Sequence, residues 1–301
     1  MSTPPILGTL DPEAPTPLGR TSRLRRVVAE PVVGLMIQRA LVMDVAHPLV
    51  AAGVDDHSAF RRHPWRRALF TVDTALRLVF GDTPTAQKAV RQIYATHDHI
   101  NGTLADSSDA TGGAGPWPTG SPYTAHDASL LTWVWATLVD SAQVAYERWV
   151  APFTPAEADE YYADMVAFAR FIGIPADLLP VDRHAFSRYL DAMLDGDSLG
   201  HSAVGRELTR HILWFEHRTV PSPIVRVGRV LAVVTLDQRL RQALDLRLSP
   251  ADEQFGRRLD QRLRLSYRHL PRARAGVPML YVRLRQPTVG LARRLRSGRD
   301  G

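Results

Sequence analysis

Cysteine is missing from all 301 residues. Its absence excludes a disulfide framework, thiolate zinc and iron–sulfur centres, thiolate-ligated haem and a cysteine nucleophile, and it leaves the redox compartment unreadable from thiols. Lysine is almost missing as well: Lys88 stands alone, and arginine carries the rest of the positive charge. Strand-like alternation is nearly absent and nothing repeats internally. There is no G-x-S-x-G elbow, no Walker-type phosphate loop, no G-x-G-x-x-G after a strand and no H-E-x-x-H. The first thirty residues are polar, proline-rich and arginine-dotted, without the apolar stretch of an export signal, so a cytoplasmic chain is expected. The longest apolar stretch, Val32 to Val54, is interrupted by Gln38, Arg39, Asp44 and His47-Pro48. Ionised groups at mid-bilayer are costly, so this stretch reads as the buried helix of a soluble protein.

What is present describes an ordinary globular chain. Hydrophobic residues at 45% and charged residues at 23% supply enough apolar mass for a sizeable core. The net charge of +6 is unevenly placed. From Gly256 onward there are thirteen arginines against Asp260 and Asp300, a net +11 that leaves the rest of the chain at −5. This basic tail carries no nucleic-acid motif and little aromatic interleaving, so no nucleic-acid partner is expected. Peripheral contact with an anionic membrane stays open beside the plainer reading of a solvated arginine-rich helix, in which Phe255, Leu259, Leu263 and Tyr267 recur every four residues.

Helical patterns organise the chain. A flexible arm is expected over 1–25, a helical domain over 26–250 and a basic helical tail over 251–301. Pro48 marks a break, and Pro64 precedes an amphipathic helix through Val79. Thr83-Pro84 reads as cap and first residue of the next helix, which stops near Gly102. Residues 105–122 form a glycine, serine and proline loop long enough to serve as a lid or substrate-access segment. Asp127 caps an apolar helix to Val150, and Thr154-Pro155-Ala156-Glu157 is a capping box that opens another, ending at Gly173. One more helix is expected from Arg183 to Leu194, and two or three more over 201–247.

Candidate chemistry centres on His97. Ala86, Val90, Ile93, His97 and Ile100 follow the recurrence of one apolar helix face, while Asp98 and His99 fall off it. An inward imidazole can be a hydrogen-bonded core residue, a general base or a metal ligand. His97 and His99 lie about 200° apart around a helix axis and cannot chelate one ion there. A metal-dependent hydrolase built from His97, His99, His126 and Asp127 lacks the further ligands that such enzymes use. Upstream, Arg67 and Thr71 are four residues apart and share a helix face, where a guanidinium beside a hydroxyl can bind a carboxylate, a propionate or an oxygen species. An exposed arginine near a capping threonine is the plainer alternative.

Several segments, taken in order, carry a resemblance. They are QRALVMDVAHPLVAAGVDDHS (Gln38–Ser58), PWRRALFT (Pro64–Thr71), VFGD (Val79–Asp82), HDHING (His97–Gly102), YTAHDASLLTWV (Tyr123–Val134), ATLVDS (Ala136–Ser141), EADEYY (Glu157–Tyr162) and GIPADLLP (Gly173–Pro180). Over roughly residues 30–250 the chain resembles the MpaB/rubber-oxygenase family, which includes the latex-clearing proteins. The resemblance implies an all-α, globin-like domain holding a haem b, whose iron activates dioxygen to cleave carbon–carbon double bonds of isoprenoid or lipid-like hydrophobic substrates. Carried over by position, His97 is the axial metal ligand, and Arg67 and Thr71 are the pocket residues needed for activity. The family commonly reads W-V-H-A-T where this chain has Trp133-Val134-Trp135-Ala136-Thr137. Trp135 is therefore counted among the cofactor-binding positions: a haem-binding histidine there is lost, a histidine of the outer shell costs little. The glutamate base of some rubber oxygenases has no matching position. The alternative to a haem-dependent oxygenase is a non-catalytic helical relative that binds a lipid or a protein partner.

Overall fold

The computed structural model describes residues 18–19, 21–57, 64–105, 113–214 and 221–269, with the side chains of 64–69, 113 and 268–269 left aside. The chain is all-α. Short helices α1 (Arg23–Val28) and α2 (Pro31–Gly34) lead into α3 (Ile37–Ala46) and α4 (Pro48–His57). Then come α5 (Pro64–Phe80) and α6 (Thr83–His97). Two small hairpins follow, β1 (Asn101–Thr103) with β4 (Pro122–Thr124) and β2 (Gly113–Ala114) with β3 (Trp117–Pro118), both antiparallel. The second half is α7 (Ala128–Trp149), α8 (Pro155–Phe171), α9 (Arg183–Asp195), α10 (Ala203–Leu213), α11 (Ser222–Thr235), α12 (Gln238–Ala243) and α13 (Pro250–His269).

Local chemistry sets most helix ends. Asp127 Oδ1 accepts from the backbone N–H of Ser129 at 2.8 Å and so starts α7. Thr154 and Glu157 form the reciprocal capping box of α8. That helix stops at Gly173, whose φ of +101° suits glycine alone and whose missing side chain makes room for the Tyr94 hydroxyl. One expectation shifts by a residue: the cap of α6 is Asp82, which accepts from Thr85 N, and Thr83 is already helical. That helix ends at His97 rather than near Gly102, because the chain turns into β1.

The 22-residue α7 is the spine. On one side Trp135, Ala136 and Val139 join a core built from α5, α6, α8 and α9. On another, Trp133 joins a second core of α3, α10, α11 and α12. Gly205 lets α10 press on α3: a Cβ there would lie 2.5 Å from the Val45 carbonyl. The α3–α4 junction bends by 106° at Pro48. Among the described residues no single helix is long and apolar enough to cross a membrane.

Both expected ends are more integrated than their composition suggests. Residues 1–17 lie outside the described residues, but Leu18 is buried and Arg23 pairs with Glu157 and Glu160 of α8 at 2.8 and 2.9 Å, so the packed chain begins before residue 25. At the other end α13 lays Leu259, Leu263 and Tyr267 on a cluster with Trp149 and Leu231. Asp260 accepts from Arg148 at 2.6 Å and from the Trp149 indole at 2.9 Å. Residues 251–269 of the basic segment are thus helical and packed on α7 and α11, while 270–301 lie outside the described residues.

Candidate functional site

Where the α3–α4 elbow opens toward the end of α6, the helices leave a cavity of about 220 Å³ that communicates with solvent. Aliphatic side chains dominate its wall: Leu41 and Val45 of α3, Val54 of α4, Leu131 and Val134 of α7, and Ile212 of α10. Into this apolar surround come few polar groups, the composition typical of small-molecule sites. They are Asp44, His57, Thr71, Thr96, His97 and Thr124.

His97 arrives by the helical stripe that the sequence predicts. Ala86 and Val90 are fully buried, Ile93 packs on the same core, and His97 closes the face at the last position of α6. Its ring is half-buried with Nδ1 shut off from solvent, and it meets Tyr94 at 6.4 Å and His126 at 5.9 Å between centroids. The Tyr94 hydroxyl donates to Ile172 O at 3.1 Å, and burial pushes its pKa up. Thr71 also faces the cavity, from α5. Arg67 lies one turn earlier on that helix, which puts the two backbones on one face; its side chain lies outside the described residues.

The other sequence candidates separate. His99 is exposed on the turn after α6. His126 is bonded through Nε2 to Asp98 at 2.9 Å on the surface, and Asp127 is occupied as the cap of α7. No three histidines, aspartates or glutamates among the described residues converge to hold a bare ion. Trp135, expected beside the cofactor, does not line this cavity. It is fully buried away from the cavity, its Nε1 donates to Met165 O at 2.9 Å, and its ring meets Tyr162 and Phe186 edge-on. Neighbours on a helix are about 100° apart, so Val134 faces the cavity and Trp135 faces α8.

The structure adds His57, Tyr123 and Asp44, which sequence reasoning did not single out. The Tyr123 hydroxyl donates to Asp56 Oδ2 and ties β4 to the end of α4. Burial, then the Asp56 charge, raises the pKa of that phenol. Gly102 keeps the contact open, since a Cβ there would lie 2.6 Å from the Tyr123 oxygen. Asp44 Oδ1 accepts from the Thr137 hydroxyl at 2.6 Å. His57 Nε2 sits 2.9 Å from Asn101 O. No described residue of the expected lid segment, 105–122, lines the cavity; Tyr123 and Thr124, which follow it, do, and 106–112 lie outside the described residues.

Comparison with known proteins gives one family and two relatives. The model described as "ER-bound oxygenase mpaB/B'/Rubber oxygenase, catalytic domain" matches residues 25–265. An uncharacterized protein of Mycobacterium bovis is 27% identical over 167 residues, 55% of this chain and 59% of its own length. An uncharacterized protein of Mycobacterium tuberculosis matches with the same figures. The chain therefore spans 59% of the length of these curated relatives. No solved structure gives a significant match.

Proposed function

This chain belongs to the ER-bound oxygenase mpaB/B' and rubber-oxygenase catalytic-domain family, and from that premise we propose that it is a haem b-dependent oxygenase acting on a hydrophobic, lipid-like substrate. The observation that carries the reading is the donor set of the cavity. A bare catalytic ion needs three or more protein ligands, and no such group exists among the described residues. A haem would bring its own ring nitrogens to the iron and would need an imidazole from the protein, which His97 could offer from a mainly aliphatic wall. The donor set, His97 with Thr71 in a mainly aliphatic lining, supports this group. When bound, the haem would supply the activation of dioxygen.

The chain's own part is positioning and exclusion of water. His97 would hold the iron from the rigid end of α6. The Thr71 hydroxyl would give a hydrogen bond inside the cavity, and Arg67 would offer its guanidinium from the same face of α5 to a propionate or an oxygen species. The aliphatic side chains of α3, α7 and α10 would bind the substrate by burial and keep competing water out. That Trp135 lies outside the cavity lining supports an intact site over the non-catalytic alternative.

An absorption spectrum of the purified protein, expressed with adequate haem supply, tests this beside His97→Ala and His99→Ala. A Soret band in the parent and in His99→Ala, lost or strongly shifted in His97→Ala, is the expected result. No Soret band in the parent, even after haem is added, would overturn the oxygenase reading.

A further inference from the structure

The polar groups of the cavity are segregated. Thr96 and His97 end α6, His57 ends α4, and Thr124 lies in β4 opposite Asn101, the residue whose carbonyl bonds His57. The aliphatic residues Leu41, Val45, Leu131, Val134 and Ile212 come from α3, α7 and α10 on the other side. Asp44 stands among them with Oδ1 engaged by Thr137. His57, Thr96, His97 and Thr124 thus form one polar rim, with Thr71 of α5 and Asp44 of α3 apart from it on a mainly aliphatic wall.

His57 has a defined donor and acceptor side. A backbone carbonyl can only accept, so the 2.9 Å contact with Asn101 O places the hydrogen of a neutral ring on Nε2 and leaves Nδ1 as an acceptor. No described residue donates to that Nδ1. The carboxylates of Asp55 and Asp56 lie within two residues of it, and Asp56 takes the Tyr123 hydroxyl. A ligand's donor would find a partner at this rim, whereas a carboxylate head would meet like charge.

We propose that the cavity binds an amphiphile, an apolar chain ending in a hydroxyl that donates to His57 Nδ1 while the chain lies along the aliphatic wall. This rests on the cavity being the substrate site, as argued above, and not on the presence of haem. Long-chain alcohols are favoured over the matching acids by the Asp56 carboxylate, bonded to the wall residue Tyr123, and over matching ethers by the missing donor.

Calorimetric titration of the purified protein as isolated, with octanol, octyl methyl ether and octanoic acid, tests it. Octanol should bind about three- to tenfold more tightly than the ether, the worth of one neutral hydrogen bond. His57→Leu should bring octanol down to the affinity of the ether and leave the ether unchanged. Equal binding of octanol and ether, equal weakening of both by the substitution, tightest binding of octanoate, or no binding of any of the three would overturn the proposal. The Soret spectrum read on the same samples tells this failure from failure of the oxygenase reading, because His57→Leu should leave that spectrum in place.

Discussion

Replacing Arg39 by methionine should cost about 3–4 kcal/mol of folding stability, more than half of what a marginal domain possesses. The side chain is 3% exposed on α3. Its Nη2 pairs with Asp140 Oδ2, its Nη1 donates to Ser141 Oγ at 2.7 Å and meets Met43 Sδ at 3.1 Å, and its Nε donates to Thr235 O at 3.2 Å. One guanidinium thus ties α3 to α7 and α11. Methionine keeps the length of the stem and removes the charge, stranding the Asp140 carboxylate. Breaking a buried pair costs roughly 3–5 kcal/mol, and the 22% exposure of Asp140 lets some water in, which pulls the figure toward the low end. Urea unfolding should show a lower midpoint with unchanged slope, and Tm should fall by about 10 °C. The stranded charge is the main expense, so Arg39→Met with Asp140→Leu should be more stable than Arg39→Met alone, with a coupling of about 2 kcal/mol. A single variant within about 1 kcal/mol of the parent, or a strictly additive double variant, would refute the reasoning.

His47 sits buried between α3 and α4 against Trp117, 4.5 Å between ring centroids, with Nδ1 lacking a partner among the described residues. Burial pushes its pKa down to about 4, Asp127 pulling weakly the other way. The unfolded chain takes up this proton near pH 6.5 and the folded chain does not until pH 4. His47 therefore lends no pH dependence above 6.5 and subtracts stability as pH falls from 6.5 to 4, by about 3 kcal/mol in total. The difference between stability profiles of the parent and His47→Leu should show that slope; a flat difference sinks the account. Trp135→His, which restores the residue common in the family, should lose about 2–4 kcal/mol through lost packing and the lost bond to Met165 O, yet leave any Soret band unmoved. A spectral shift without loss of stability would instead return position 135 to the cofactor site.

Local signals were readable in the sequence because their physics is local. The Asp127 cap, the Thr154–Glu157 box, the glycine after α8 and the stripe leading to His97 each involve residues a few positions apart, and each stands as expected. Where Trp135 points was not legible because a motif is read as a string, in which position 135 adjoins the cavity residue Val134, while the helix turns Val134 to the cavity and Trp135 to the core with α8. His57 gave no signal of its own. It reaches the cavity only because the chain bends 106° at Pro48 and because Asn101, forty-four residues later, supplies the carbonyl that orients its ring. The described parts of the two ends show a related effect. Prolines and arginines dominate their composition, yet Leu18, Leu259 and Leu263 suffice to pack what lies beside them.

Two of the stretches that carry the resemblance, over 38–57 and 133–141, face each other, and their chemistry is that of a joint. Pro48 has no N–H to continue α3, so the last carbonyls of that helix need other donors. The Trp133 indole donates to Met43 O at 3.1 Å, and Gly200 N donates to Ala46 O at 2.8 Å. Farther along α7, Thr137 holds Asp44, and Asp140 with Ser141 holds Arg39. Trp133, Thr137, Asp140 and Ser141 follow the spacing of one helix face. That stripe anchors α3 at the angle that sends α4, with His57 at its end, over the cavity, while His97 and Thr71 come from α6 and α5. Resemblance carried by such stretches therefore identifies the scaffold more securely than the reaction. A relative could keep Arg39, Asp140 and Trp133 and still change its chemistry at α6. For that reason the decisive substitutions lie at His97 and His57, where the joint is untouched and only the contents of the cavity change.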